Sequence, residues 1–550
     1  MSAQTARLEA VVPAPQSVRF DAVTLEVIWT RLVSVVDEAA AALVRSSFST
    51  LVRESYDFSC IITDTQGRCL GQATDSIPSF IGTLPKTVRH FLDHFPVESL
   101  KPGDVLITND PWMGTGHLPD LTVAKPLFRN GKHVGFAAST THSPDMGGRT
   151  GTADIRDVFE EGFQVPMLKL MDEGRVDQTF ITLLRKNVRV PDQVVGDLWA
   201  QVSALELMER RLFDLMSDYQ LDELEGLADE ILDRSEAAMR DAIRNFPDGT
   251  YTYELQTDGV VEPVTIQIAV KVEGDGILVD YAGTSPQVDR AINVALCYTY
   301  AQTVYGLKCI LAPEMLNNDG ALRPIEVIAP EGSILNHTYP ASGQTRTLVG
   351  HFLPFAVFGA LSKAVPEHVA AGPGSPLWSI QASGVNEKGE TYVNKFFFNG
   401  GTGGTAQRDG YNVLSWPSNI SCVPVEMMEQ QSNFRVMHKR LREGSGGQGQ
   451  HRGGLGQETL LEYRSERPVV VGFHAERTLI APPGINGGED GKTGILEING
   501  KPLTPSQQKV QHVIRAGDQI HLKTPGGAGF GTPASRDEKL IARDRSAGYA

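Results

Sequence analysis

Apolar residues recur at helical spacing early in the chain. Leu25, Ile28, Trp29, Leu32, Val35, Val36, Ala39 and Leu43 mark one face, and the run ends in the polar cluster from Ser46 to Thr50. This predicts a long amphipathic helix. The period then shortens: "YDFSCIITDTQGRCLGQA" reads as strand, turn, strand with Gly67 at the turn, and "GDVLITNDPW" and "HVGFAASTTH" supply two further strands, each ending in polar residues. Between Pro191 and Phe246 the spacing is helical again, in two amphipathic stretches divided by a short polar break, which predicts a helical hairpin. "PDGTYTYELQTDG" opens a strand-rich region in which "VTIQIAV" alternates strictly.

Glycine becomes dense late in the chain, in "FFFNGGTGGTAQRDG", "REGSGGQGQHRGGLG", "APPGINGGEDG" and "TPGGAGFGTP". These stretches are too varied for a linker or a repeat, and they read as structural loops that need positive φ or close backbone approach. The charged tail "ASRDEKLIARDRSAGYA" is expected to fray or to dock on a partner. The patterns together define a multidomain α+β class. Residues 1–195 give an N-terminal helix plus a mixed-sheet domain, 196–246 the helical hairpin, 247–335 a strand-rich domain, 336–465 a glycine-rich α/β region, and 466–550 a β-rich C-terminal region and tail.

Composition narrows the partners. The chain has 550 residues, with 66 acidic against 50 basic and a formal charge of -16. No basic block interrupts that balance, which argues against nucleic acid or an anionic membrane as partner. No apolar run reaches membrane-spanning length, and "MSAQTARLEAVVPAPQSVRF" lacks the apolar core of a signal peptide, so a cytoplasmic location is expected. The five cysteines show no C-x-x-C spacing, which indicates neither a disulfide framework nor a thiolate zinc site.

Three short loops carry candidate metal ligands: Asp57 in "ESYDFS", His117 and Asp120 in "GTGHLPDLTV", and His142 in "STTHSPDMGG". Gly114, Gly116 and Pro119 shape an irregular backbone around His117 and Asp120, just ahead of an apolar strand. Imidazole and carboxylate without thiolate suit Zn, Mn or Fe(II), and two histidines plus a carboxylate leave positions open for substrate or water. Each residue also has a plainer role: H-x-x-D recurs by chance, Asp57 suits a turn, and His142 suits a strand-end cap. The glycine-rich loops lack the Lys-Ser/Thr of a phosphate-binding P-loop, and Ser445 lacks a G-x-S-x-G context, so neither nucleotide binding nor a serine hydrolase is indicated.

Several strings, in order, resemble the hydantoinase B family: "NDPWMGTGHLPDLTV", "THSPDMGG" followed by "EGFQVPMLKL", "NVRVPDQVVGDLWAQVSA", "DYAGTSPQV", "GALRPIEVIAPEGSILN", "GSGGQGQHRGGLG" and "TPGGAGFGTP". The likeness runs from about Asp21 to Pro533. It implies a B-type subunit that works with an A-type subunit, which binds ATP and Mg and phosphorylates the substrate or bicarbonate, in a hetero-oligomer with two copies of each. It also implies a divalent metal in this chain on His117, Asp120 and His142, with Asp57 as fourth ligand. His142 and Asp145 are then the catalytic candidates, Asp145 as a base or an orienter of a ligand, with turn-capping as its alternative. The family's pattern departs at Pro144, Met146 and Gly444, none of them a proposed ligand.

The implied reaction is hydrolysis of a cyclic amide (hydantoin, lactam or oxoproline type), activated by phosphorylation and attacked by metal-bound water. The runner-up is a ketone carboxylase in which a metal-held enolate attacks carboxyphosphate or CO2. A third reading is a non-catalytic scaffold for the ATPase subunit.

Overall fold

The first apolar stripe folds as the helix Ala22–Ser46, in a computed structural model that describes residues 20–549. The leader reading concerns residues that, apart from Phe20, lie outside that range. The Asp21 side chain caps the helix by accepting from the backbone N–H groups of Val23 and Thr24. Leu25, Ile28, Leu32, Val36, Ala39 and Leu43 are buried, and the Trp29 indole donates to the Leu70 carbonyl at 3.1 Å.

The helix lies on a seven-stranded sheet. Its strands are β1 (Phe58–Thr63), β2 (Cys69–Gln72), β3 (Val105–Thr108), β4 (Asp120–Arg129), β5 (Lys132–His142), β6 (Leu168–Asp172) and β7 (Arg175–Val176), in the order β2-β1-β5-β4-β3-β6-β7. Alternation along β1 sends Phe58, Cys60 and Ile62 to the helix side and Ile61 to the other, where Leu84, Val88 and Phe91 of the helix Thr83–His94 cover it. The sequence pattern suggested a mixed sheet here, but every pairing is antiparallel. One cause is the β4–β5 turn, where Asn130 and Gly131 at φ 52° and 77° reverse the chain within two residues.

The two helices expected between 191 and 246 form as Pro191–Asp218 and Glu225–Arg244. They do not make a self-contained hairpin. The first lies along Ala22–Ser46 and on β4 and β5, and the second packs against the short helix Asp319–Leu322. Two helices alone bury too little apolar surface to stand as a unit. Both feed the core that also holds Leu32, Val36 and Ile107.

In the middle of the chain β8 (Gly249–Thr257), β9 (Val264–Glu273), β10 (Gly276–Asp280) and β11 (Ile325–Ile328) form a sheet of order β11-β10-β9-β8. This one is mixed, because β10 and β11 run parallel across the intervening helix Leu296–Leu311. The apolar helix Leu353–Leu361 packs on β8 and β9 and completes that core. Two antiparallel sheets follow. One is built from β12 (Trp378–Val385), β13 (Thr391–Phe398), β16 (Val469–His474) and β19 (Gln511–Ile514), in the order β13-β12-β16-β19. The other holds β14 (Phe434–Leu441), β15 (Gln457–Tyr463), β17 (Ile495–Ile498), β18 (Lys501–Pro502) and β20 (Gln519–Lys523), in the order β14-β15-β20-β17-β18. They share a core that includes Trp378, Phe396, Phe473, Leu461 and Leu522. Among the described residues no helix is long and apolar enough to cross a membrane.

The glycine-rich loops interlock. Gly454 donates its N–H to the Thr402 carbonyl at 2.8 Å, Gly527 to that of Gly454 at 2.9 Å, and Gly404 to that of Ala528 at 2.9 Å. Close approach, rather than positive φ, is the requirement at Gly401, where an added Cβ would lie 1.9 Å from the Gly454 carbonyl oxygen. Within the described residues the tail folds back on the chain. Its helix Glu538–Ser546 buries Asp544, which takes ion pairs from Arg452 at 3.3 Å and from Arg536.

Gly401→Ala is expected to destabilise the chain by about 2 kcal/mol or more, since backbone on both sides must move to admit one methyl group. Urea unfolding of the variant against wild type measures it, and an unchanged midpoint would contradict the close-approach reading.

Candidate metal centre

Strand register brings the candidate ligands together. Asp120 opens β4 directly opposite His142, which closes β5, and Asp57 stands one residue ahead of β1, accepting the His142 backbone N–H at 3.1 Å. The loop before β4 folds His117 back over this row. Gly116, at φ 100°, leaves room there for the Arg346 side chain, whose Cδ would meet an added Cβ at 3.0 Å. Buried Glu161 ties that loop to the segment Ser342–Gly343, accepting from the Ser342 hydroxyl at 2.6 Å, the Gly343 N–H at 2.8 Å and the Leu118 N–H at 3.4 Å.

His117 Nε2 and His142 Nδ1 each lie 2.9 Å from Asp120 Oδ1, and Asp57 Oδ2 lies 3.9 Å from His142 Nδ1. All four side chains are buried. The other Asp120 oxygen accepts from the Thr115 hydroxyl at 2.6 Å and the Arg346 guanidinium at 2.8 Å, which fixes the direction of Oδ1. Burial alone would raise the Asp120 pKa, but His117 and Arg346 outweigh it and hold the carboxyl well below its ordinary range. Burial raises the pKa of Asp57. Burial and the Arg346 charge push the His117 imidazole down, and burial and Lys395 do the same to His142.

The His117 tautomer tests whether a cation fits. Its Nδ1 sits 2.9 Å from the Gln344 carbonyl oxygen, which can only accept, so Nδ1 carries the ring proton. With the ring neutral, the state burial favours, the Nε2 lone pair faces a carboxylate oxygen, and Nε2 is buried with no hydrogen bond. Two acceptors at 2.9 Å repel unless a proton or a metal cation lies between them. His117, Asp120 and His142 offer ligand atoms within 4.8 Å of one another, and nitrogen–oxygen sets of this kind suit Zn, Mn or Fe.

The sequence did not point to the residues that face this cluster. Arg346 lies with its guanidinium 4.4 Å over the Tyr298 ring and leaves Nε and Nη1 without partners. Lys395 of β13 and His474 at the end of β16 complete the wall of a cavity of about 40 Å³, shared with Asp57, His117, Asp120 and His142. A second cavity of about 20 Å³ adjoins it across His142, Gln344, Lys395 and His474. Asp145 lines this second cavity, but its fully buried carboxylate is taken by the Gly147 N–H at 3.1 Å, the Arg189 guanidinium at 2.6 Å and the Arg189 backbone N–H. Those contacts anchor the Asp145 loop.

The chain belongs to the hydantoinase B/oxoprolinase family, whose model matches residues 21–533. It is 31% identical over 559 aligned residues to the putative B-type D-/L-hydantoinase subunit of Pseudomonas sp. (strain NS671), covering 96% of this chain and 93% of that one. The structure of the ATP-dependent caprolactamase from Pseudomonas jessenii superposes with a TM-score of 0.88 at 26% identity, over 96% of this chain and 94% of that one. Nucleotide-free acetone carboxylase shares the fold, with a TM-score of 0.84 at 18% identity, over 96% of this chain and 78% of that one.

Two further buried histidines, one of them (His351) lining the same cavity, set a pH response. Burial pushes His337 down to about 4; burial and the Arg346 charge push His351 down to about 3. Both are neutral in the folded chain and take up protons on unfolding once the pH falls below their ordinary value of 6.5. Their contribution to stability is therefore complete above that value and is lost as the pH falls through the window down to about 4 and about 3. Between pH 7.5 and 5 the loss should be on the order of 1–2 kcal/mol for each histidine. Urea midpoints at the two pH values, with His351→Gln flattening the difference, measure it.

Proposed function

We propose that this chain is the metal-holding B-type component of an ATP-dependent cyclic-amide hydrolase, acting on a hydantoin- or lactam-type ring that a partner A-type ATPase subunit activates by phosphorylation. The observation that carries this reading is the unsatisfied His117 Nε2 facing Asp120 Oδ1 inside a cavity whose other wall holds Lys395 and Arg346.

His117, Asp120 and His142 would hold the divalent ion (Zn, Mn or Fe), with Asp57 beside them as fourth ligand. Such an ion supplies Lewis acidity at neutral pH. Amide resonance makes a lactam carbonyl a poor electrophile, and transferring a phosphoryl group to its oxygen turns that oxygen into a leaving group. The departing group is an anion, and two cations line the cavity to meet it: Lys395 and the Arg346 guanidinium, whose Nε and Nη1 lack partners. Thr115 and Arg346 keep Asp120 pointed at the histidines while the charge in the cavity changes. The burial of Asp57, His117, Asp120 and His142 keeps bulk water from the reacting groups.

The partner supplies the ATP and Mg chemistry, since the glycine-rich loops of this chain are packed against one another and lack a phosphate-binding lysine. The free cysteines fit a reducing compartment, and we place the complex in the cytoplasm.

Metal analysis is the direct test. Wild type should hold about one ion at this centre, and His117→Ala and His142→Ala should each lose it with the circular dichroism retained. Lys395→Met should keep the ion and lower kcat by about 100-fold. Retained metal in both histidine variants refutes the centre, and a fully active His117→Ala complex leaves only the scaffold reading.

The chain alone should not hydrolyse ATP. Co-expressed with its A-type partner it should elute as a stable hetero-oligomer, two copies of each, through an interface burying roughly 2,000 Å² or more. An ATP-consumption screen of that complex against hydantoins, lactams and ketones, with and without bicarbonate, should show ring hydrolysis independent of bicarbonate. Labelled bicarbonate appearing in product would establish the ketone carboxylase instead.

A further inference from the structure

A second group of nitrogen and oxygen donors lies in the C-terminal five-stranded sheet, apart from the centre above. Leu461, Ile520, Leu522 and Leu496 face the core of that sheet. Across its other face, His438 of β14 and His521 of β20 flank Leu460 of β15 in one row, which Glu497 of β17 extends. Glu458, two residues from Leu460, stands on the same face. His438 reaches this row only because of an irregularity in β14. Val436 pairs with Leu461 and His438 with Leu460, so Met437 is an extra residue that turns the following side chains to the opposite side.

His521 Nε2 lies 2.8 Å from Glu458 Oε1, and His438 Nε2 lies 3.7 Å from the same oxygen with no hydrogen bond of its own. The three donor atoms fall within 4.8 Å of one another. Their surroundings orient them. Arg440 pairs with the other Glu458 oxygen at 3.1 Å, leaving Oε1 for the histidines. Glu497 lies 3.2 Å from His521 Nδ1 and can accept its proton, which, with the ring neutral, leaves the Nε2 lone pair for an ion beside Glu458 Oε1, 2.8 Å away. The His438, Glu458 and His521 side chains are 32%, 16% and 19% exposed, so an ion reaches them from solution without unfolding.

We propose that His438, Glu458 and His521 form a second divalent-metal site, of the Zn2+ class, with one position open to water. Its ligands come from three neighbouring strands that are far apart in sequence, so the bound ion clamps β14, an edge strand, to β15 and β20. The site is independent of the function proposed above.

The test uses the purified full chain, stripped with chelator, reloaded with excess Zn2+ and dialysed. Wild type should retain about two equivalents, and His438→Ala and His521→Ala about one each, as should His117→Ala by losing the other ion. Zn2+ should raise the Tm of His117→Ala but leave that of the His117→Ala/His438→Ala double variant unmoved. His438→Gln serves where an alanine variant fails to fold. If wild type retains a single ion that depends on His438 and not on His117, this site stands and the other centre falls. If Zn2+ content and the Tm shift are the same in wild type, His438→Ala and His438→Gln, with circular dichroism unchanged, the second site is refuted.

Discussion

Asp120 is the residue on which the candidate centre turns. One of its oxygens receives both imidazoles at 2.9 Å, and the other is held by Thr115 and Arg346. His117 and Arg346 outweigh burial and keep this carboxylate ionised. The antiparallel pairing of β1, β5 and β4 exists upstream of this, since it sets Asp57, His142 and Asp120 side by side at strand ends. A slip of one residue in that register would turn these side chains to the opposite face.

Charge is divided unevenly over the molecule. The chain as a whole is acidic, with a formal charge of -16, yet the cavity beside the metal-ligand cluster is walled by Lys395 and Arg346. Neither cation answers a surface need. Arg346 is buried and stacked on Tyr298, and Lys395, whose ammonium pKa is lowered by burial, has no ion pair among the described residues. Desolvated cations without full partners are costly, and an anionic ligand is the kind of partner that offsets the cost.

Local pattern made part of this legible. The helix Ala22–Ser46 was readable because its apolar spacing persists over many turns, and His117, Asp120, His142 and Asp57 because they sit in Gly/Pro-punctuated loops or at strand ends. Lys395 was not, since "TYVNKFFF" reads as an ordinary strand and only the pairing of β13 with β12 shows where its residues lie. Arg346 and His474 lie in unremarkable sequence and reach the site through long-range packing. The His438 row depends on a one-residue bulge that no periodicity announces. The helices Pro191–Asp218 and Glu225–Arg244 each show an apolar stripe, but the stripe does not say which partner covers it.

The cavity is also a record of the order of synthesis. Asp120 and the guanidinium that pairs with it are 226 residues apart, and Lys395 and His474 come later still. On the ribosome, the histidines and carboxylates of the first sheet emerge while the groups that enclose them have yet to be made. The half-built site is then open to water, and to ions, from the side that the finished protein closes. The candidate ligands are thus made before the residues that enclose them, and an ion held there would have its widest entrance before the chain is complete.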